Sequence, residues 1–447
     1  MKTILIIGGN AAGMSAASQI KRQQPEWDVT VFEKGEYISY AGCGIPYHIQ
    51  GLVPKLEALI AVTPEEAVEK RKINLLLKHE VISIDPEEKC VTVKNENTAD
   101  KKFAFDYLLI ATGASPIKDV IKHPPSERIY TVHTLNDSVS MRNLVDSGEM
   151  KKCAVIGGGY IALEMLEALK DRGLETHLFH RRDSLSRSFE EEISEIAIEE
   201  MKKESIVLHL NNPVTEITRD NDSLIIGANG EKLSFDLAVI GVGVEPNSAL
   251  AAACGIQTGL KNSIRVNEFM QTNYPYIYAA GDCAETKNII TGKPVYIPLG
   301  LKANKEGVAA GVNISGGEEK FPGILGTAIT KFFNMGLART GLTLEEAEKN
   351  GFSAKKFSIK AGSKSHYYPG AGALNIVLIY ENNSGRLLGA QLAGQLDAVK
   401  RIDVYAAAIT AGMNLDDIFQ LDLAYAPPFS PVYDPVVLSG RVGRKKV

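Results

Sequence analysis

Two short glycine-rich loops, each standing between an apolar run and a helical pattern, constrain this chain more than any other feature. The first follows Thr3 to Ile7, reads Gly8-Gly9-Asn10-Ala11-Ala12-Gly13, and enters the pattern Met14 to Arg22. The second follows Cys153 to Ile156, reads Gly157-Gly158-Gly159-Tyr160-Ile161-Ala162, and enters Leu163 to Arg172. A short continuous apolar run bounded by turn residues is the signature of a strand buried in a parallel sheet. Small residues at the following turn let backbone approach a pyrophosphate, whose charge is stabilised by the helix N-terminus. The chain is predicted to be α/β, with two dinucleotide-binding units.

What closes each unit differs. The strand Asp28 to Phe32 ends at Glu33, followed by Lys34, and the Glu33 carboxylate is placed to accept hydrogen bonds from a ribose. Asn10 takes the second glycine position, where Asn tolerates unusual φ better than most residues. The strand Glu175 to Phe179 ends instead in His180-Arg181-Arg182. A carboxylate there would repel a 2′-phosphate, whereas Arg and His can pair with one. NADPH is therefore expected ahead of NADH, with NADH still possible. A solvated surface turn is the plainer reading of Arg181 and Arg182.

Three later segments fit the same organisation. Tyr107 to Pro116 contains Ala111-Thr112-Gly113, Leu237 to Asn247 contains Gly241-Val242-Gly243, and Ile277 to Glu285 contains Ala280-Gly281-Asp282. The first and second are apolar strands leading into crossovers; the third returns to the first unit. The expected division is 1–115 and 245–321 for one nucleotide domain, 116–244 for the other inserted into it, and 322–447 for a C-terminal α+β domain. In that last part Ala328 to Phe333, Ala373 to Tyr380 and Leu387 to Leu392 read as strands, and Val399 to Ala411 as a helix. At 447 residues the chain exceeds one ordinary core.

The 49 Lys and Arg against 54 Asp and Glu leave a net charge of −5, with no basic character suited to nucleic acid. No apolar run approaches the roughly 20 residues of a membrane helix, and the N-terminus does not read as a signal peptide. The five cysteines are Cys43, Cys90, Cys153, Cys254 and Cys283. Their scatter suggests neither a disulfide framework nor a metal cluster, so no metal is expected and a reducing cytoplasm fits best. Cys43 follows the first unit with no second cysteine near it. An enzyme reducing disulfides through its own dithiol needs two.

The two loops, Ala111-Thr112-Gly113 and Ala280-Gly281-Asp282 resemble the two-dinucleotide flavoprotein disulfide reductase superfamily. Ser39-Tyr40-Ala41-Gly42-Cys43-Gly44-Ile45-Pro46-Tyr47 is more selective. It resembles the single-cysteine branch of pyridine nucleotide-disulfide oxidoreductases, which holds coenzyme A-disulfide reductases, persulfide or polysulfide reductases, NADH oxidases and NADH peroxidases. The resemblance spans essentially the whole chain. It implies FAD in the N-terminal unit, the nicotinamide cofactor in the inserted unit, and a homodimer made by the C-terminal domain.

Within that branch the chain resembles the coenzyme A-disulfide reductases in His180-Arg181-Arg182, in Tyr367-Tyr368-Pro369-Gly370, and in Leu423-Ala424-Tyr425-Ala426-Pro427. The resemblance implies that Tyr367 (or its neighbour Tyr368) and Tyr425 complete the substrate site of the other subunit. Read singly, either tyrosine is also a core or interface aromatic. The oxidases and peroxidases place a histidine where this chain has Ala11. The expected function is NADPH-dependent reduction of coenzyme A disulfide through a Cys43 mixed disulfide. The alternatives are persulfide or polysulfide reduction, an oxidase, or a redox-responsive interaction protein that is not an enzyme. Implied FAD contacts are Gly8, Asn10, Ala11, Glu33, Lys34, Thr112, Gly113 and Asp282. Implied nicotinamide-side contacts are Gly157, Gly159, Tyr160, Ile161, Glu164, His180, Arg181, Arg182 and Gly243. Arg22 and Ser39 are the substrate-side candidates, although a solvated helix face explains Arg22 as well.

Overall fold

The structure, a computed structural model, describes residues 1–95, 98–117, 120–185 and 188–447. The apolar run Thr3–Ile7 is the middle strand of a parallel five-stranded sheet. Its order is Ile277–Ala279, Tyr107–Ile110, Thr3–Ile7, Asp28–Glu33, Asn74–Leu77. Helix α1 (Ala11–Gln23) starts at once after the loop, because Gly8 turns the chain at φ +107 and a Cβ there would meet the Ala111 carbonyl oxygen at 2.2 Å. Small side chains can approach where larger ones cannot. Gly307 of a later helix packs against α1 so closely that a Cβ would lie 2.3 Å from the Ala12 carbonyl oxygen.

Cys43 is followed by α2 (Ile45–Gln50), and α3 (Leu135–Asp146) leads into the second sheet. That sheet repeats the parallel arrangement in the order Val207–His209, Glu175–Phe179, Lys152–Ile156, Leu237–Ile240, Ile129–Tyr130. Gly157 stands where Gly8 stood: its φ is +132 and a Cβ would meet the Gly241 carbonyl oxygen at 2.2 Å. Helix α4 (Tyr160–Asp171) follows, then α5 (Glu191–Lys203), the short α6 (Ala249–Ala253) and α7 (Gly300–Ile314).

The two chain crossings between these sheets pair as antiparallel strands, Ala114–Pro116 with Val244–Pro246. Asn247 ties them further. Its side-chain amide donates to the Thr112 carbonyl at 2.9 Å and its carbonyl accepts the Thr112 hydroxyl at 2.6 Å. A third, antiparallel sheet runs Ala328–Phe332, Met335–Gly341, Leu387–Gln395, Ala373–Glu381, Ala354–Gly362 and is backed by a helix over Ile402–Thr410. Among the described residues no helix is long and apolar enough to cross a membrane.

Candidate active site

Cys43 occupies a 3-10 turn, Gly42–Gly44, that runs directly into α2, with Pro46 in the helix's first turn where its missing N–H costs nothing. Solvent reaches the thiol, yet protein fills much of the space around it. Burial, then the charge of Glu164 from the second unit, pushes its pKa above the ordinary thiol value, and Asp282 of the first unit adds to this; a backbone hydrogen bond opposes them. A thiolate at this position therefore needs a further positive or hydrogen-bonding neighbour. Cys153 and Cys283 are buried, and no cysteine forms a disulfide.

Tyr47 was missed by the motif reading. It lies one helical turn beyond Cys43, and burial, Glu164 and Cys43 together raise its phenol pKa. The i,i+4 spacing from Cys43 was the available signal.

The first unit converges on Asp282. Its Oδ1 is buried without a hydrogen-bond partner, and burial raises its pKa against the opposing charges of Lys302 and His133. Lys302, only 2% exposed, donates to the carbonyls of Gly281 at 2.9 Å and Ala284 at 3.1 Å and pairs with Glu306 at 3.0 Å. Glu33 accepts from the Gly9 N–H at 2.8 Å with one carboxylate oxygen and from the Gly35 N–H at 2.7 Å with the other. A carboxylate has acceptor capacity beyond two such bonds, so ribose hydroxyls can still be met.

Helix α1 has no side chain capping its N-terminus. Free N–H groups there, an orphaned acceptor at Asp282 and a close-packed glycine turn fit FAD. His133 also belongs to this neighbourhood. It arrives from the segment before α3, feels Asp282 and Lys34, and has its pKa lowered chiefly by burial. Nothing in its local sequence marks it; the preceding Val132, held at φ +49, is visible only in the structure.

Asn10 stands at the second glycine position with an ordinary φ of −103, and its side chain accepts the Tyr40 N–H at 3.1 Å, tying the glycine loop to the Cys43 loop. Ser39 is the strained residue there, at φ +46. Thr112 uses its hydroxyl on Asn247, and Gly113, at φ +69, has open space where a side chain would stand.

In the second unit α4 is capped by Gly159 with no side-chain cap, and a Cβ on Gly159 would meet no atom within 4 Å. That open space beside free N–H groups fits the pyrophosphate of a nicotinamide dinucleotide. Gly243, at φ +118, lies at the facing turn. Ile161 is exposed, while the Tyr160 hydroxyl is buried without a partner and its ring meets Phe189 edge-on at 6.0 Å. Burial raises the Glu164 pKa, and Glu164 accepts the Thr330 hydroxyl at 2.9 Å. The basic triplet divides. The His180 ring lies beneath Gly158 and lies 3.2 Å from the Leu185 carbonyl, and burial lowers its pKa. Arg181 and Arg182 form no ion pair among the described residues.

A cavity of about 230 Å³ runs along α1 beside α7, and Arg22, Ser39, Arg71, Ser18 and Asn304 are among the residues that line it. Arg71 was missed; it donates to Ser18 at 2.9 Å and pairs with Glu66 at 2.8 Å. The segments bearing Tyr367 and Tyr425 lie side by side, since the Ser365 N–H donates to the Pro427 carbonyl at 3.3 Å. Tyr367 is 65% exposed against 38% for Tyr368, so Tyr367 is the freer of the two.

Two nucleotide cradles flanking one accessible thiol define a dinucleotide-dependent redox enzyme. The description "pyridine nucleotide-disulphide oxidoreductase" matches residues 2–307, and that family's dimerisation domain matches residues 327–435. The chain belongs to this family and is a flavin- and NAD(P)H-dependent oxidoreductase. It is 44% identical over 443 residues, 99% of either chain, to an NAD(P)H sulfur oxidoreductase (CoA-dependent) of Pyrococcus furiosus. It is 31% identical over 446 residues to a coenzyme A disulfide reductase of Staphylococcus haemolyticus, covering 99% of this chain and 100% of that one. The structure matches an NAD-dependent persulfide reductase from A. fulgidus at a TM-score of 0.96 and 35% identity, covering 99% of this chain and 83% of that one.

Proposed function

We propose that this chain is an NAD(P)H-dependent reductase of persulfide or polysulfide sulfur that uses coenzyme A, with Cys43 as nucleophile. The observation that carries the sulfur chemistry is the position of Cys43, a lone accessible thiol near Glu164 of one nucleotide unit and Asp282 of the other. The higher identity to the CoA-dependent sulfur oxidoreductase than to the coenzyme A disulfide reductase favours sulfane sulfur as the oxidant.

The Cys43 thiolate attacks the CoA-bound sulfur of a CoA persulfide, forming a Cys43–CoA disulfide and releasing hydrosulfide. Two electrons and one proton then cleave that disulfide, restoring the thiolate and releasing CoA thiol. Bound FAD and NAD(P)H supply those electrons. Arg22 and Arg71 suit the anionic phosphates of CoA, and Ser39 lines the same cleft. Arg181 and Arg182 suit a 2′-phosphate, favouring NADPH. Tyr367 and Tyr425 of a second copy complete the sulfur site in a homodimer, where a phenol donates a proton to the departing sulfur.

A second reading has CoA disulfide as substrate. It uses the same mixed disulfide, with CoA thiolate leaving in place of hydrosulfide, and rests on the similarity to coenzyme A disulfide reductases. NAD(P)H oxidation is measured on the holoenzyme with polysulfide and CoA, with CoA disulfide, and with oxygen. Hydrosulfide release dependent on CoA is the expected result, and Cys43→Ser lowers it more than about 100-fold while reduction of the bound flavin persists. Faster turnover of CoA disulfide than of polysulfide establishes the second reading instead, and equal turnover by the Ser variant overturns both.

A further inference from the structure

We propose that Glu167 is a positioning residue that sets the Cys43 helix against the nicotinamide-side helix from the dimerisation domain. The inference uses the Cys43 role above, but its principal readout is thiol reactivity, which does not depend on which sulfur compound is the substrate.

Glu167 lies one turn beyond Glu164 on α4 and is 3% exposed. Burying a carboxylate is costly unless its oxygens are satisfied, so its partners report what it holds. They come from two other parts of the fold. The Phe333 N–H donates to Oε2 at 2.8 Å, and Lys331 pairs with Oε1; Lys331 lies near the end of the strand Ala328–Phe332 and Phe333 in the turn that leads to Met335–Gly341 in the third sheet. The Gln50 side-chain amide donates to Oε1 at 3.4 Å and to Asp171 at 2.5 Å. Gln50 is the last residue of α2, whose first turn follows Cys43 directly.

One carboxylate thus touches the far end of the helix that follows the thiol's turn, sits on the helix that carries Tyr160 and Glu164, and grips the third sheet. The grip is directional. Phe333 is held at φ +50, a conformation a bulky side chain adopts at a cost, with its N–H aimed at the carboxylate. Glu164 makes a parallel tie from the same helix to Thr330, so α4 meets that hairpin at two successive turns. A six-residue helix is not stable by propensity alone, so α2 depends on its surroundings: Ile45 and Ile49 are buried in the core, His48 lies 2.8 Å from the Ser138 hydroxyl, and Gln50 holds the end away from Cys43. Gln50 adds to that apolar packing a polar tie to α4, and through it the tilt of α2 and the position of Cys43 answer to Glu167.

Three variants test this in the full-length holoenzyme: Gln50→Leu, which cuts only the arm to the Cys43 helix, Glu167→Gln and Glu167→Ala. The measurements are the rate of Cys43 alkylation against pH, kcat and KM for NADPH, and the oligomeric state. Gln50→Leu is expected to change the alkylation rate at least threefold and to lower kcat about tenfold, with KM and oligomeric state unchanged. Glu167→Ala should reproduce that effect, and Glu167→Gln should recover part of it. Should Glu167→Ala fail to fold, Glu167→Gln is read in its place, with Asp171→Asn as the control for the second Gln50 bond. An unaltered alkylation profile in folded Gln50→Leu overturns the proposal, as does a kcat loss accompanied by an equal change in KM.

Discussion

The two glycine loops are built on one backbone plan and finished with opposite charge. In each, a strand enters a left-handed glycine, a helix starts without a side-chain cap, and the next strand's terminal side chain lies beneath the second glycine of the loop. Under Gly9 that side chain is Glu33, whose carboxylate holds the Gly9 N–H at 2.8 Å. Under Gly158 it is His180, with Arg181 and Arg182 following. In a dinucleotide fold the glycine-turn backbone approaches the pyrophosphate, and the side chain at the strand end meets the ribose. Both turn glycines are closed alike, by the Ala111 and the Gly241 carbonyl oxygens at 2.2 Å, whereas a Cβ on Gly159, two residues further along the second loop, would meet no atom within 4 Å.

That contrast is broken most severely at the turn glycines. Gly8→Ala puts a methyl 2.2 Å from a carbonyl oxygen at a left-handed φ and should cost about 2–5 kcal/mol, read as loss of the folded holoenzyme in thermal unfolding. Gly159→Ala meets no atom, so stability should change by less than about 1 kcal/mol while NADPH binding weakens, seen as a raised KM. Equal destabilisation by both would mean that the position at the start of α4 is packed as closely as the turn glycine.

Next in size is the charge contrast. Replacing Arg181 and Arg182 together by Asp should lower the preference for NADPH over NADH by about 10- to 100-fold, measured as the ratio of kcat/KM. An unchanged ratio would leave both arginines as surface groups.

The smallest effect is at the junction of the units. Glu164 raises the Cys43 pKa, so Glu164→Gln should shift the alkylation profile of Cys43 to lower pH and quicken the reaction near neutrality. The sign follows from removing a negative charge that disfavours the thiolate. A shift to higher pH would show that Glu164 acts on the thiol through something other than its charge.

Much of this was legible in the sequence because it depends on local order. The parallel strands at Thr3–Ile7 and Lys152–Ile156 announce themselves as apolar runs ending at glycine, and the expected helices at Met14 to Arg22 and Leu163 to Arg172 differ from α1 and α4 only at their ends. Strands such as Ala354–Gly362 were missed. Its lysines interrupt the apolar run, and its alternate side chains face solvent while only one face packs. Asn10 was read as a residue tolerant of unusual φ. Its actual use depends on Tyr40, which no local pattern links to it. The expected preference for coenzyme A disulfide came from short motifs, whereas full-length identity is higher to a CoA-dependent sulfur oxidoreductase than to a coenzyme A disulfide reductase.

The sequence by itself determined the two nucleotide units, the opposite charges at their strand ends and the solitary Cys43, because glycine turns, strand periodicity and side-chain chemistry are written within a few residues. Only the tertiary structure decided that Glu164 and Asp282 bear on that thiol, that His133 joins Asp282, and that Glu167 links three parts of the fold. Those relations join residues far apart in the chain. They arise when burial forces each polar group to find its partner wherever the packing brings one.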